Sequence, residues 1–238
     1  MTIETAIQEL IDQNKRFVQK YGVTRKSIEN DNRINAILSY YHQTKRLFDK
    51  QREPVDFLFV RTQFSYYQHP ITNKTPYAEP TLFDLYHTIK YGHWRAKTEQ
   101  LRAIPDKAEA RQFKASNFDY VTFSGTFTER DGKKLKAHSN LMVFDFDHVP
   151  DLNELKEKLL NDEYFSTLLM FVSPSGDGLK WVVSIDVNKH AHETWFTSIS
   201  AYLEHTYKMK PDPSGKDVAR ACFICHDPDV YINPVFLL

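Results

Sequence analysis

The sequence predicts an α+β fold, a mixed or antiparallel sheet with helices on one face, preceded by a helical N-terminal segment. Three observations lead there. Strands and helices alternate from Leu141 onward, a pattern of layered sheet and helix. Apolar residues in the first fifty positions recur at helical spacing. The apolar run Leu141-Met-Val-Phe-Asp-Phe-Asp-His148 ends in two acids separated by one residue.

The elements follow in order. Ile3, Ala6, Ile7, Leu10, Ile11, Phe17, Val18 and Tyr21 share a helical face, and Gly22 breaks it. A second charged helix carries Ile34, Ile37, Leu38, Tyr41 and Phe48 and ends near Pro54. Residues 1–55 are therefore expected as a helical segment, and 56–238 as the α+β domain. Phe57–Val60 and Thr62–Tyr67 read as strand, and Pro70, Pro76 and Pro80 punctuate the loop that follows. Thr81 is placed to cap a helix with Leu82, Leu85, Tyr86 and Ile89 on one face. A basic, polar helix spans about 93–103. Tyr120–Phe123 and Thr126–Phe127 read as strands around Gly125. Asp131-Gly132 signals a tight turn, and a hairpin into the Leu141 strand is expected. Asp151 and Glu154 suit the two ends of a capping box opening a helix with Leu152, Leu155, Leu159 and Leu160 as its stripe. Strands Leu168–Val172 and Leu179–Asp186 flank a Ser/Gly turn. A helix over His190–Tyr207 carries Trp195, Phe196, Ile199 and Leu203, and Ala221–Cys225 forms the last strand.

Lys+Arg and Asp+Glu both count 31, so no global basic field advertises nucleic acid, and any such binding needs a local patch. Cys222 and Cys225 form a lone C-x-x-C, without the second pair that would complete a zinc site. No apolar run approaches the ~18 residues of a membrane span. The expectation is a cytoplasmic protein with no membrane partner.

Chemistry concentrates in four places. Alternation along a strand points Asp145 and Asp147 to one side and Phe146 to the other. Adjacent carboxylates repel unless solvated or bridged by a divalent cation. The Ser173-Pro-Ser-Gly-Asp-Gly-Leu-Lys180 turn carries small residues suited to meeting phosphate, with Lys180 just inside the next strand. Asp212, between two prolines, is a candidate third acid. Arg220, in Asp217-Val-Ala-Arg220, needs an anionic partner on entering a strand: phosphate, or a structural bridge to Asp212 or Asp217.

Weaker candidates are His138-Ser139, Ser124-Gly125, His148 and His226. Arg95, Lys97, Arg102, Lys133, Lys134 and Lys136, with Tyr91 and Trp94, are a candidate single-strand track or a solvated face.

In this order, the four features resemble the catalytic core of the archaeo-eukaryotic primase, or primase–polymerase, superfamily. More narrowly, Val121-Thr-Phe-Ser-Gly-Thr-Phe127, His138-Ser139, Phe144-Asp-Phe-Asp-His148 and Ser173-Pro-Ser-Gly176 are similar to the VirE N-terminal primase-like domain of Bacteroidetes mobile elements and phages. Asp217-Val-Ala-Arg-Ala-Cys-Phe223 and Asp227-Pro-Asp-Val-Tyr-Ile-Asn-Pro234 extend the likeness, which covers roughly residues 56–238. The resemblance implies an RRM-like core and metal-dependent nucleotidyl transfer on single-stranded DNA. Asp145, Asp147 and Asp212 would hold Mg²⁺ or Mn²⁺. Ser173, Ser175, Gly176, Lys180 and Arg220 would hold the nucleoside triphosphate. It also implies a helicase partner, encoded separately. The superfamily carries His where this chain has Lys180, and lysine binds phosphate as a point charge rather than through a directed imidazole bond.

Three alternatives stand beside it. One is a non-catalytic nucleic-acid-binding module of the same fold. Another is a haloacid dehalogenase-like phosphatase, whose D-x-D opens its domain and is followed by a small residue and Thr, where this chain has His148 and Val149. The last is a nuclease using the same acids.

Overall fold

The computed structural model describes residues 62–92 and 94–237, together with 8, 11–16 and 19. Residues 8, 11–16 and 19 are helical. The rest of the N-terminal reading, and the Phe57–Val60 strand, lie outside the described residues. The chain divides into two compact units, and the elements below belong to the one spanning Val55–Phe236.

That unit is α+β. A three-stranded sheet joins β1 (Ser65–Tyr67), β2 (Tyr120–Thr122) and β8 (Cys222–Phe223) in the order β1-β2-β8. A hairpin pairs β3 (Gly125–Phe127) with β4 (Leu135–His138). A four-stranded sheet runs β5-β7-β6-β9, from β5 (Leu141–Phe146), β7 (Leu179–Ser184), β6 (Leu169–Val172) and β9 (Tyr231–Ile232). Every pairing is antiparallel.

The helices are α1 (Leu82–Tyr91), α2 (Arg95–Arg102), α3 (Lys107–Asn117), α4 (Leu152–Leu160) and α5 (His192–Tyr207). Thr81 and Asp84 form a full capping box on α1, each side chain accepting the other's backbone N–H. Asp151 caps α4 by accepting from the N–H groups of Asn153 and Glu154. Glu154 pairs with Lys158 one turn on, so it serves the exposed face of the helix.

Two readings change. The Asp131-Gly132 turn closes β3 onto β4, and β5 pairs with β7. The β4 strand is exposed at Lys136 and Ala137 and only half-buried at Leu135 and His138, so it lacks the apolar alternation that marks a strand in sequence. Helix α3 escaped notice for the same reason: none of its residues is fully buried.

The four-stranded sheet is apolar on both faces over most of its area. Met142, Phe144, Phe146, Leu179, Trp181 and Val183 point to α4 and α5, where Leu155, Leu159, Phe196, Ile199 and Leu203 meet them. Leu141, Leu169, Phe171 and Val182 point the other way, into a core shared with α1 and β2. Alternation therefore places Asp145 and Lys180 on this second face, at the end of an otherwise apolar surface. Cys222 and Cys225 are free and buried, and burial pushes both thiols up to about 12. They are packing residues, since a reactive cysteine needs an accessible thiolate.

Phe144 lies at the centre of the helix-facing layer, fully buried, stacked on Phe196 at 5.3 Å and tilted against Trp181 at 5.7 Å. Phe144→Ala is expected to cost about 3–5 kcal/mol, read as a lowered midpoint in urea unfolding. A loss under 1 kcal/mol, about that of a conservative core swap, would show that this layer is not the one holding the sheet to its helices.

Candidate active site

Antiparallel register sets Asp145 directly opposite Lys180. Lys180 is buried, and its ammonium is paired with Asp145 Oδ2. Burial opposes that charge, but Asp145 more than offsets it, so the ammonium is held above its ordinary range. The other oxygen of Asp145, Oδ1, is buried with no hydrogen-bond partner among the described residues. Buried carboxylate oxygens ordinarily have partners.

Asp147 sits just past the end of β5 and is open to solvent. Partial burial and then the charge of Asp145 raise its carboxyl above the ordinary range, against the opposing pull of Lys180. Asp212 arrives from the other end of the chain. Its N–H donates to the Asp145 carbonyl at 2.8 Å. Its carboxylate caps a short 3₁₀ turn, Pro213–Lys216, accepting from Ser214 N and Oγ at 3.0 and 2.6 Å. Arg220 Nη2 reaches it at 2.6 Å. Burial alone would raise this carboxyl; the Ser214 bonds and Arg220 outweigh it and hold it low. Oxygens of the three acids lie within 4.8 Å of one another.

The turn is seated by Gly215, where a Cβ would come within 2.5 Å of the Phe196 ring. The aromatic core beneath β5 thus supports the third acid.

The Ser173–Gly178 turn closes on itself. Ser173 N donates to Gly178 O at 2.8 Å, Gly176 N to Ser173 O at 2.9 Å, and Gly178 N to Ser173 Oγ at 3.2 Å. The amides of Gly176 and Gly178 are therefore spent inside the turn, contrary to the expectation that they meet phosphate. Gly176 adopts φ +87°, and a Cβ there would lie 3.0 Å from Arg102 Nε. Arg102 donates to the carbonyls of Ser173 and Pro174, so it braces the turn. The turn brings the side chains of Ser173 and Ser175 to the cavity.

A cavity of about 270 Å³ opens beside the acids. Asp145, Asp147, Ser173, Ser175, Lys180 and Arg220 line it, while Gly176 shapes the turn behind it. Lys114, Arg130 and Asp217 line it too. Sequence reasoning missed Lys114 and Arg130: α3 has no strong apolar stripe, and Arg130 stands before the Asp131-Gly132 turn, a motif that signals a bend and not a ligand site. Of the two carboxylates considered for Arg220, Asp212 is its partner.

The weaker candidates are engaged elsewhere. His148 pairs with Asp177 at 2.6 Å, and His226 contacts the Ile89 carbonyl at 3.1 Å. Ser124 donates to Val218 O and Ser139 to Phe123 O, fastening the β3–β4 hairpin. Arg95 pairs with Glu99 and Lys136 with Glu79, and Lys97 donates to Asn117 O, so these cations are held locally.

His138 belongs to a chain of one polarity. Asn140 N–H donates to its Nδ1 at 3.0 Å, so the neutral ring carries its proton on Nε2. That proton faces His192 Nδ1 at 3.1 Å, and His192 Nε2 faces the Gly215 carbonyl at 3.3 Å. Burial, then the neighbouring His192, lowers His138 to about 4. Burial also lowers His192, against the Gly215 carbonyl and Asp217.

The fold and site define the protein's class: an α+β protein with an acidic triad at the end of an antiparallel sheet, beside a cation-lined cavity. Residues 112–232 match the BT4734-like N-terminal domain, and the chain belongs to that family. The match spans every acid and cation of the cavity. No curated protein and no solved structure matches the chain.

Lys180→Met strands the partly buried Asp145 carboxylate and should cost up to about 3–5 kcal/mol; adding Asp145→Asn should recover most of that in a double-mutant cycle. Additive losses would show that the two do not act as a pair. The histidine chain sets a pH dependence. A folded value near 4, below the ordinary 6.5, means stability is complete above pH 6.5 and is lost as pH falls toward 4. Urea midpoints of wild type should drop more steeply over that window than those of His138→Gln; parallel slopes would remove His138 from the linkage.

Proposed function

We propose that this chain is a DNA primase or primase–polymerase module of a mobile element, performing metal-dependent nucleotidyl transfer on single-stranded DNA. The observation that carries the reading is the convergence of Asp145, Asp147 and Asp212 within 4.8 Å beside a cavity lined by cations. The donor set suits Mg²⁺ or Mn²⁺, hard ions that take carboxylate oxygens, and the orphaned Asp145 Oδ1 is an oxygen in want of a partner. Such an ion would supply charge neutralisation at phosphate oxygens during transfer. Lys180 and Arg220 would hold the nucleoside triphosphate, with Ser173 and Ser175 as hydroxyl donors. Gly176 would serve by keeping Ser175 at the cavity. The resemblance to primases supplies the DNA strand and the separately encoded helicase; neither has a counterpart among the described residues.

A second reading rests on a specific contact. Lys180 already neutralises Asp145, the acid at the centre of the triad. A site that stays self-paired would be a non-catalytic nucleic-acid-binding module of the same fold.

The two readings part in one assay. Wild-type protein with single-stranded DNA, labelled nucleotides and Mn²⁺ or Mg²⁺ should yield short products, and Asp145→Ala/Asp147→Ala should abolish them. Products from the double variant would sink the metal-dependent reading. Absence of products from wild type, with DNA binding unchanged by the substitutions, would favour the binding module.

A further inference from the structure

The cavity holds two cations that no sequence motif assigns and that the acids leave unpaired. Lys180 is taken by Asp145 and Arg220 by Asp212. Lys114 and Arg130 have no carboxylate partner among the described residues.

Lys114 projects from α3, half-buried, with its ammonium 5.7 Å from the centre of the Phe223 ring and no side-chain hydrogen bond to a described residue. Burial, then the charge of Lys180, lowers it despite the attraction of Asp145 and Asp147. A partly desolvated ammonium beside a second ammonium is unfavourable until an anion joins them.

Arg130 is held differently. Its Nε donates to Tyr120 Oη and its Nη2 to the Ile71 carbonyl, each at 3.1 Å, and its guanidinium lies over the Tyr120 ring at 5.1 Å. Two of its five donors are used to fix the plane. The remaining donors make no ion pair with a described carboxylate, which leaves a fork suited to receive phosphate.

Charge and size narrow the ligand. Four cations, Lys114, Arg130, Lys180 and Arg220, meet four carboxylates, Asp145, Asp147, Asp212 and Asp217, so the cluster is neutral as it stands. Each divalent ion added would call for two negative charges from the ligand. At about 270 Å³ the cavity falls just below the ~300–1,000 Å³ of pockets that enclose a drug-sized molecule, so it suits a compact charged tail.

We propose that Lys114 and Arg130 form a second anion subsite, in the same cavity as Lys180 and Arg220, that binds the polyphosphate tail of a nucleoside triphosphate. The subsite rests on the nucleotidyl-transfer reading for its ligand, and on its own residues for its position. It favours a chain of phosphates over a single one, because a chain carries more charge and more oxygens and engages more of the four cations lining the cavity at once. A nucleic-acid backbone presents the same phosphate oxygens, one per nucleotide, and is the other source to test.

The test is calorimetric titration of the full chain with inorganic tripolyphosphate, orthophosphate and a single-stranded oligonucleotide, each with Mn²⁺. Lys114→Ala should weaken tripolyphosphate binding about tenfold, as expected for one lost charge-assisted contact, and leave orthophosphate within about twofold. Arg130→Lys, which keeps the charge and loses the fork, should weaken it less. A thermal melt confirms folding of each variant, and α3 has no fully buried residue to disturb. Tripolyphosphate binding unchanged in Lys114→Ala, or absent from wild type, overturns the subsite. So does a loss confined to the oligonucleotide. Primer synthesis with Lys114-independent tripolyphosphate binding would sink the subsite alone. Lys114-dependent binding without synthesis would sink the catalytic reading and keep the subsite.

Discussion

The cross-strand pair of Asp145 and Lys180 is the constraint on which the rest of the site depends. Two opposite charges sit side by side on neighbouring strands, on the face of the sheet that also carries Leu141 and Val182. Neither is tolerable there alone, because an uncompensated charge in a poorly solvated place costs several kcal/mol. The pair also reports the register. A slip of one residue would turn Lys180 toward α4 and α5 and bring Trp181 to the cavity. The hydrophobic layer and the polar pair thus enforce the same alignment of β5 with β7.

The two faces of this sheet divide the labour. One is a continuous apolar layer in which Phe144, Trp181 and Phe196 stack, and it anchors the helices. The other passes from apolar to charged along β5, and the cavity opens where the charge begins. The connection between them is short. Phe196 supports Gly215, the turn around Gly215 is capped by Asp212, and Asp212 binds the backbone of Asp145. Packing on the helix-bearing face therefore places a carboxylate on the opposite side.

A chain with no net charge can still concentrate charge of both signs in one place. Lysine and arginine balance aspartate and glutamate over the whole sequence, yet within the cavity the two signs are separated by a few ångströms and partly withdrawn from water. At short range and low solvation such pairs act far more strongly than surface charges do. The exposed pairs, Arg95 with Glu99 and Lys136 with Glu79, contribute little by comparison.

What the sequence determined by itself is local in origin. The alternation through Phe144, Asp145, Phe146 and Asp147, the caps at Thr81 and Asp151, and the stripes of α1, α4 and α5 all arise from neighbours a few positions apart, and all were legible. So was the candidate acid set, because Asp145 and Asp147 share a strand period and Asp212 stands between two prolines. Tertiary structure decided the partners. That β4 rather than β5 closes the hairpin, that Asp212 meets Asp145, and that Lys114 and Arg130 join the cavity depend on contacts between residues far apart in the chain. Helix α3 and strand β4 are polar and half-exposed, so neither leaves a periodic apolar signal. Their place comes from the surfaces they pack against, and those exist only once the sheets have formed.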